Sequence, residues 1–142
     1  MQKNNAIFGG EPIGAWVLPD LNMCPDGILG SLKLLEALED NSMTLSEFVE
    51  RIPSYPTMNV KLEMKNKEKV MNAIDSGYES VFRNVKSINK VDGIRLNLPE
   101  GWILIRASGT EPVIRLTAEG IDEKATKSLI ENGKRLIKVN IK

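Results

Sequence analysis

The chain has 142 residues, 42% of them apolar and 27% charged, with 19 basic side chains against 19 acidic ones. That balance suits one soluble domain, or one domain with an appendage. It argues against a nucleic-acid surface, which needs a basic excess, and no apolar run approaches the ~20 residues of a membrane span. With a single cysteine, Cys24, there is no internal disulfide, and a reducing cytoplasm is the expected setting. The polar start, Met1 to Asn5, has no apolar signal-peptide segment.

Residues 7–18 read as a strand interrupted by a loop. Glycines at 9, 10 and 14 let the backbone turn closely round a small ligand. Glu11 offers one carboxylate that can accept from two neighbouring sugar hydroxyls; a solvated Gly-rich turn is the plainer alternative. Trp16, just beyond the loop, suits sugar stacking or packing equally. Asp26 is placed to cap a helix with Ile28, Leu32, Leu35, Ala37 and Leu38 on one face. This strand–loop–helix has no sheet of its own, so residues 1–40 read as the tail of a preceding α/β domain, expected to be the least stable part. Thr44-Leu-Ser-Glu47 is a capping box opening a short helix that Pro53 ends. Tyr55-Pro56 completes a linker, giving residues 41–56 the role of helix and connection.

From residue 57 to 142 the pattern is that of a complete small domain. Met58, Val60, Leu62 and Met64 alternate with Asn59, Lys61 and Glu63, as in a half-buried strand. Asn66 can cap a helix with Val70, Ile74, Tyr78, Val81 and Phe82 on one side. Asp92-Gly93 is a hairpin signal between Ile88 and Ile94-Leu96-Leu98. Pro99-Glu100-Gly101 makes the next turn, and Trp102 to Ile105 is a continuous apolar run that reads as a buried strand, with Trp102 in the core. Asp122 caps a last helix with Ala125, Leu129, Ile130, Leu136 and Ile137 facing inward, while Gly133 weakens it. The order β-α-β-β-β-α predicts an α+β fold: an antiparallel sheet with helices on one face.

The densest chemistry lies between the last two strands, in Arg106-Ala-Ser-Gly-Thr-Glu-Pro-Val-Ile-Arg115. Ser108, Gly109 and Thr110 supply two hydroxyls and a glycine able to take positive φ, and successive amides in such a turn can form an anion nest. Arg106 and Arg115 bracket it with rigid forks of donors suited to phosphate oxygens. Glu111 repels phosphate and is expected to pair with an arginine or receive a sugar hydroxyl. No histidine is present to activate Ser108 or Thr110, so both hydroxyls read as ligands rather than nucleophiles. An ordinary hairpin turn with solvated arginines is the alternative.

This segment resembles the phosphate-binding loop of the α-D-phosphohexomutases, the family of phosphoglucomutase, phosphomannomutase and phosphoglucosamine mutase. Ala107 stands where that family usually has proline. Phe8-Gly-Gly-Glu-Pro-Ile-Gly-Ala-Trp16 resembles the family's sugar-recognition loop, and Pro19-Asp20 and Asp26-Gly-Ile-Leu29 fall where the family places them. Order and spacing resemble the last quarter to third of such an enzyme. The resemblance implies a last domain with a TATA-binding-protein-like fold. It implies phosphate binding by Arg106, Ser108, Gly109, Thr110 and Arg115, and sugar binding by Glu11 and Gly14. Ile13 and Ala15 replace the family's usual serine and histidine, so those two sugar contacts are not carried over. Gly10-Glu-Pro-Ile-Gly-Ala-Trp16 with the later Cys24-Pro-Asp-Gly27 resembles archaeal phosphoglucosamine mutases, though glucosamine, glucose, mannose and N-acetylglucosamine phosphates all stay open.

The family is implied to use a phosphorylated serine near its N-terminus, an aspartate loop holding Mg²⁺, and a hexose 1,6-bisphosphate intermediate. Ser31, Ser42, Ser46, Ser54, Ser76, Ser80, Ser87 and Ser128 have no basic, glycine-framed loop around them, and no D-x-D occurs. The chain is therefore expected to hold no catalytic residue or metal of its own and to be inactive without N-terminal domains of the same enzyme. Its expected partner is a phosphorylated hexose, with neither nucleic acid nor membrane. A free-standing phosphosugar-binding module and an interaction domain using its sheet are the alternatives.

Overall fold

The structure, a computed structural model, describes residues 1–11 and 13–140. Pro12 of the glycine-rich motif, and Ile141 and Lys142 at the end of the 57–142 domain, lie outside the described residues. The chain divides into two compact units, Met1–Pro53 and Ser54–Lys142. The 41–56 stretch is thereby shared between them.

In the first unit, β1 (Gly9–Glu11) and β2 (Ala15–Val17) pair antiparallel, with Gly9 opposite Val17 and Glu11 opposite Ala15. The interrupted strand of the sequence is thus a two-stranded hairpin. Its turn closes where the Gly14 amide donates to the Glu11 carbonyl at 3.0 Å. Gly14 takes φ +85°, a conformation side-chain-bearing residues rarely adopt. Helix α1 (Gly27–Asp40) is capped by Asp26, whose Oδ1 accepts from the Leu29 amide at 2.9 Å. A Cβ on Gly30 would sit 3.0 Å from Trp16, so the missing side chain lets α1 lie against that ring. The Trp16 ring also meets Phe8, with centroids 5.5 Å apart. The apolar face of α1 is not covered: Ile28, Leu32 and Leu35 are 78%, 59% and 61% exposed. Such a face calls for a sheet. Thr44 and Glu47 form the expected capping box of α2 (Leu45–Glu50).

In the second unit, five strands form one antiparallel sheet in the order β3-β7-β6-β5-β4. They are β3 (Thr57–Glu63), β4 (Ser87–Asn89), β5 (Ile94–Leu98), β6 (Gly101–Ala107) and β7 (Val113–Gly120). Helices α3 (Lys67–Gly77) and α4 (Glu123–Val139) pack on one face. The fold is α+β, with one strand more than the order β-α-β-β-β-α, because the short β4 pairs with β5 across Asp92-Gly93. The core is built from alternate residues: Leu96, Ile103, Ile105, Ile114, Leu116 and Ala118 from the sheet meet Ile74, Leu129, Ile130, Leu136 and Ile137 from the helices, all at 0–1% exposure. Asp122 caps α4 as expected, its Oδ1 accepting from the Ala125 amide at 2.7 Å. Asn66 precedes α3 but makes no side-chain cap.

Trp102 corrects the sequence expectation. It is not in the core but on the face opposite the helices, where Arg95 stacks 4.1 Å from its ring centroid. Its indole N–H donates to Glu119 at 3.0 Å. A sheet covered on one face keeps its side-chain alternation even along an unbroken apolar run, so Ile103 and Ile105 turn inward while Trp102 and Leu104 turn outward.

Candidate functional site

The β6–β7 hairpin places Arg106 directly opposite Arg115, and β3–β7 pairing places Lys61 opposite Arg115 on the other side. Cross-strand partners share a face with Cβ atoms about 5 Å apart, so three cationic side chains stand in a row across three adjacent strands. They occupy the face that the helices leave open. Like charges at such spacing repel, and two carboxylates compensate. Arg106 Nη1 pairs with Asp92 Oδ2 at 2.5 Å, while Glu111 accepts from Arg115 and from Lys61, the latter at 3.4 Å. The Arg115 guanidinium, followed by the Lys61 ammonium, holds the Glu111 carboxyl below its ordinary pKa. Glu111 therefore pairs with an arginine, as its charge required. Arg115 Nε is buried and has no partner among the described residues, so the guanidinium keeps an unsatisfied donor there.

Between these strands the loop 108–112 is tightly tied. The Ser108 amide donates to the Val113 carbonyl at 3.0 Å, and Ser108 Oγ accepts from the Glu111 amide at 3.3 Å. Ser108 is 4% exposed, and its hydroxyl oxygen serves the turn itself. The Met64 amide donates to the Pro112 carbonyl at 2.7 Å, and the Lys67 ammonium donates to the carbonyls of Ser108 and Glu111. Gly109 and Thr110 are exposed at the tip, and among the described residues their amides have no protein partner. Gly109 does not use the left-handed region open to it; the positive-φ glycines are Gly14, Gly93 and Gly101. A Cβ there would meet nothing within 4 Å, so its small size leaves open space above the loop.

Two free amides, the Thr110 hydroxyl and flanking guanidinium groups make an arrangement that can receive a multiply charged oxyanion. Sequence reasoning named Arg106, Ser108, Gly109, Thr110 and Arg115, which one hairpin brings together. It missed Lys61, Lys67 and Asp92. The alternation of β3 put Lys61 on the outward set, but only the register with β7 sets it beside Arg115.

Glu11 and Gly14 belong to the first unit. Glu11 ends β1, exposed, beside the turn that Gly14 closes, and Ile13 at the tip is 84% exposed. Among the described residues no group of three or more His, Cys, Asp or Glu side chains is placed to hold a metal.

Known proteins agree with this architecture. Residues 58–133 match the phosphoglucomutase/phosphomannomutase C-terminal domain, and residues 1–55 match the alpha/beta/alpha domain III of the same proteins. The chain belongs to this family, the α-D-phosphohexomutases, and corresponds to its C-terminal part. A phosphoglucosamine mutase of Methanocaldococcus jannaschii is 46% identical over 140 residues, covering 97% of this chain and 31% of that protein. A probable phosphoglucosamine mutase of Methanosphaera stadtmanae is 41% identical over 132 residues, covering 91% and 29%. The chain thus spans about a third of the length of the curated relatives it matches. The crystal structure of a phosphoglucomutase/phosphomannomutase family protein from Burkholderia thailandensis shares the fold, with a TM-score of 0.82 at 22% identity over 98% of this chain and 29% of that one. No helix of the described residues is long and apolar enough to cross a membrane.

Proposed function

We propose that this chain is the substrate-holding C-terminal part of a phosphohexomutase that interconverts hexose 6-phosphate and hexose 1-phosphate through a bisphosphate. The observation carrying this is the pairing of Arg106 with Arg115 across the hairpin whose tip leaves the Gly109 and Thr110 amides free. The two guanidinium groups and the two amides grip the phosphate that is not reacting. That grip converts remote binding energy into positioning of the sugar against the phosphoserine supplied by the preceding domains. In the first unit Glu11 accepts from the sugar hydroxyls, with the turn at Gly14 setting its approach. The relatives named phosphoglucosamine mutase support an amino-hexose phosphate as substrate. An enzyme of this kind works in the cytoplasm, in keeping with the lone, unpaired Cys24.

The test is an amide-resolved NMR titration of the chain with glucosamine 6-phosphate, inorganic phosphate and unphosphorylated glucosamine. Saturable shifts at residues 106–111 and Arg115 with both phosphates, and none there with glucosamine, are expected. Arg115→Ala should weaken phosphate binding by roughly 10- to 100-fold, the loss of one or two charge-assisted hydrogen bonds. Equal binding by wild type and Arg115→Ala would refute the clamp.

A further inference from the structure

We propose that Lys67 is a positioning residue that aims the loop's amides at the phosphate, an assignment that rests on the phosphate reading above. Lys67 opens α3, where the helix dipole disfavours a cation. It is nevertheless drawn in from solvent to half-burial, and its ammonium donates to the Ser108 carbonyl and, at 3.2 Å, to the Glu111 carbonyl. These two carbonyls bracket Gly109 and Thr110.

Peptide geometry gives the contact its consequence. The Ser108 carbonyl and the Gly109 N–H belong to one planar trans unit, so they point in opposite directions. Drawing the carbonyl inward onto Lys67 turns the Gly109 N–H outward, toward the open space above the loop. The Met64 amide holds the Pro112 carbonyl from the same corner of the chain, so residues 64–67 grip the underside of the loop at three carbonyls. The ammonium also puts a positive charge beneath an anion seated on the other side. Lys67 touches no substrate in this arrangement; it acts through Gly109.

Lys67→Met keeps the aliphatic stem and removes the donors and charge, while Lys67→Arg keeps the charge and ample N–H donors. ¹⁵N relaxation of the ligand-free chain should show Gly109 and Thr110 losing order in Lys67→Met while β6 and β7 stay rigid, with order restored in Lys67→Arg. The dissociation constant for inorganic phosphate should rise about tenfold in Lys67→Met and return to within about threefold of wild type in Lys67→Arg. Unchanged Gly109 order together with unchanged phosphate affinity in Lys67→Met would overturn the assignment. Should wild type fail to bind phosphate, the phosphate reading falls by itself, and Gly109 order decides for or against Lys67. Lys67→Leu, which likewise has neither donors nor charge, substitutes if Lys67→Met does not fold, and must then show the same loss of Gly109 order.

Discussion

Gly133 sits in the middle of α4, where alanine ought to stabilise the helix by about 1 kcal/mol. The packing predicts the opposite sign. A Cβ built on Gly133 would lie 2.7 Å from Ile103 Cδ1 and 3.2 Å from Leu116 Cδ1. Ordinary carbon contacts need about 3.5–4.0 Å, so Ile103 must retreat by roughly 1 Å. Ile103 and Leu116 are both fully buried, with no solvent to move into. Overpacking of this kind costs typically about 1–3 kcal/mol, which outweighs the propensity gain and leaves Gly133→Ala less stable by about 1 kcal/mol. For a unit of this size that is a fall of about 4–8 °C in the unfolding midpoint, measurable by circular dichroism. Because Ile103 lies on β6 and Leu116 on β7, the strands carrying Arg106 and Arg115, amide shifts should spread into the 108–112 loop. A midpoint raised by several degrees would show that the Ile103 side chain yields freely, and would refute the packing account of this glycine.

Glu111→Gln removes the carboxylate that competes with an anion for Arg115 and Lys61, so inorganic phosphate should bind roughly two- to fivefold more tightly, as judged by NMR titration. The same variant tests a pH dependence. The Glu111 carboxyl is held below its ordinary value, chiefly by Arg115, so its contribution is complete above the ordinary carboxylate pKa and is lost as pH falls through the lowered one. Wild type should therefore exceed Glu111→Gln in unfolding midpoint at neutral pH, and the gap should close in strong acid. Asp122→Ala removes the cap of α4 and should cost about 1 kcal/mol, a fall of about 4–8 °C in the same melting experiment.

The sheet and its helices were legible because each signal was local. Alternation marked β3, Asp92-Gly93 marked a turn, and Asp122 marked the start of α4. The donors of the 106–115 segment were legible for the same reason, being consecutive in sequence. What the sequence concealed depends on pairing register or on which face stays open. Lys61 became part of the cationic row only through its place opposite Arg115. Lys67 reaches the loop across 41 to 44 positions of sequence, and no periodicity encodes that contact. Trp102 was misplaced because four apolar residues in a row conceal an alternation that one-sided helix packing imposes. Gly133 was marked as a weak point, but its reason lay in two side chains of distant strands.

The pairing of β3 with β7, far apart in sequence, also bears on how the molecule assembles. The β6–β7 hairpin is local and can close early, as short-range contacts do. The grip of Met64, Lys67 and Lys61 on that hairpin must wait until a strand made some fifty residues earlier zips onto it, after a long loop has been closed. During synthesis β3 emerges first and stands unpaired until β7 follows it out of the ribosome. The cationic row is therefore completed last, when the edge strand docks, and a chain ending short of β7 would expose β3 as a free edge open to wrong partners.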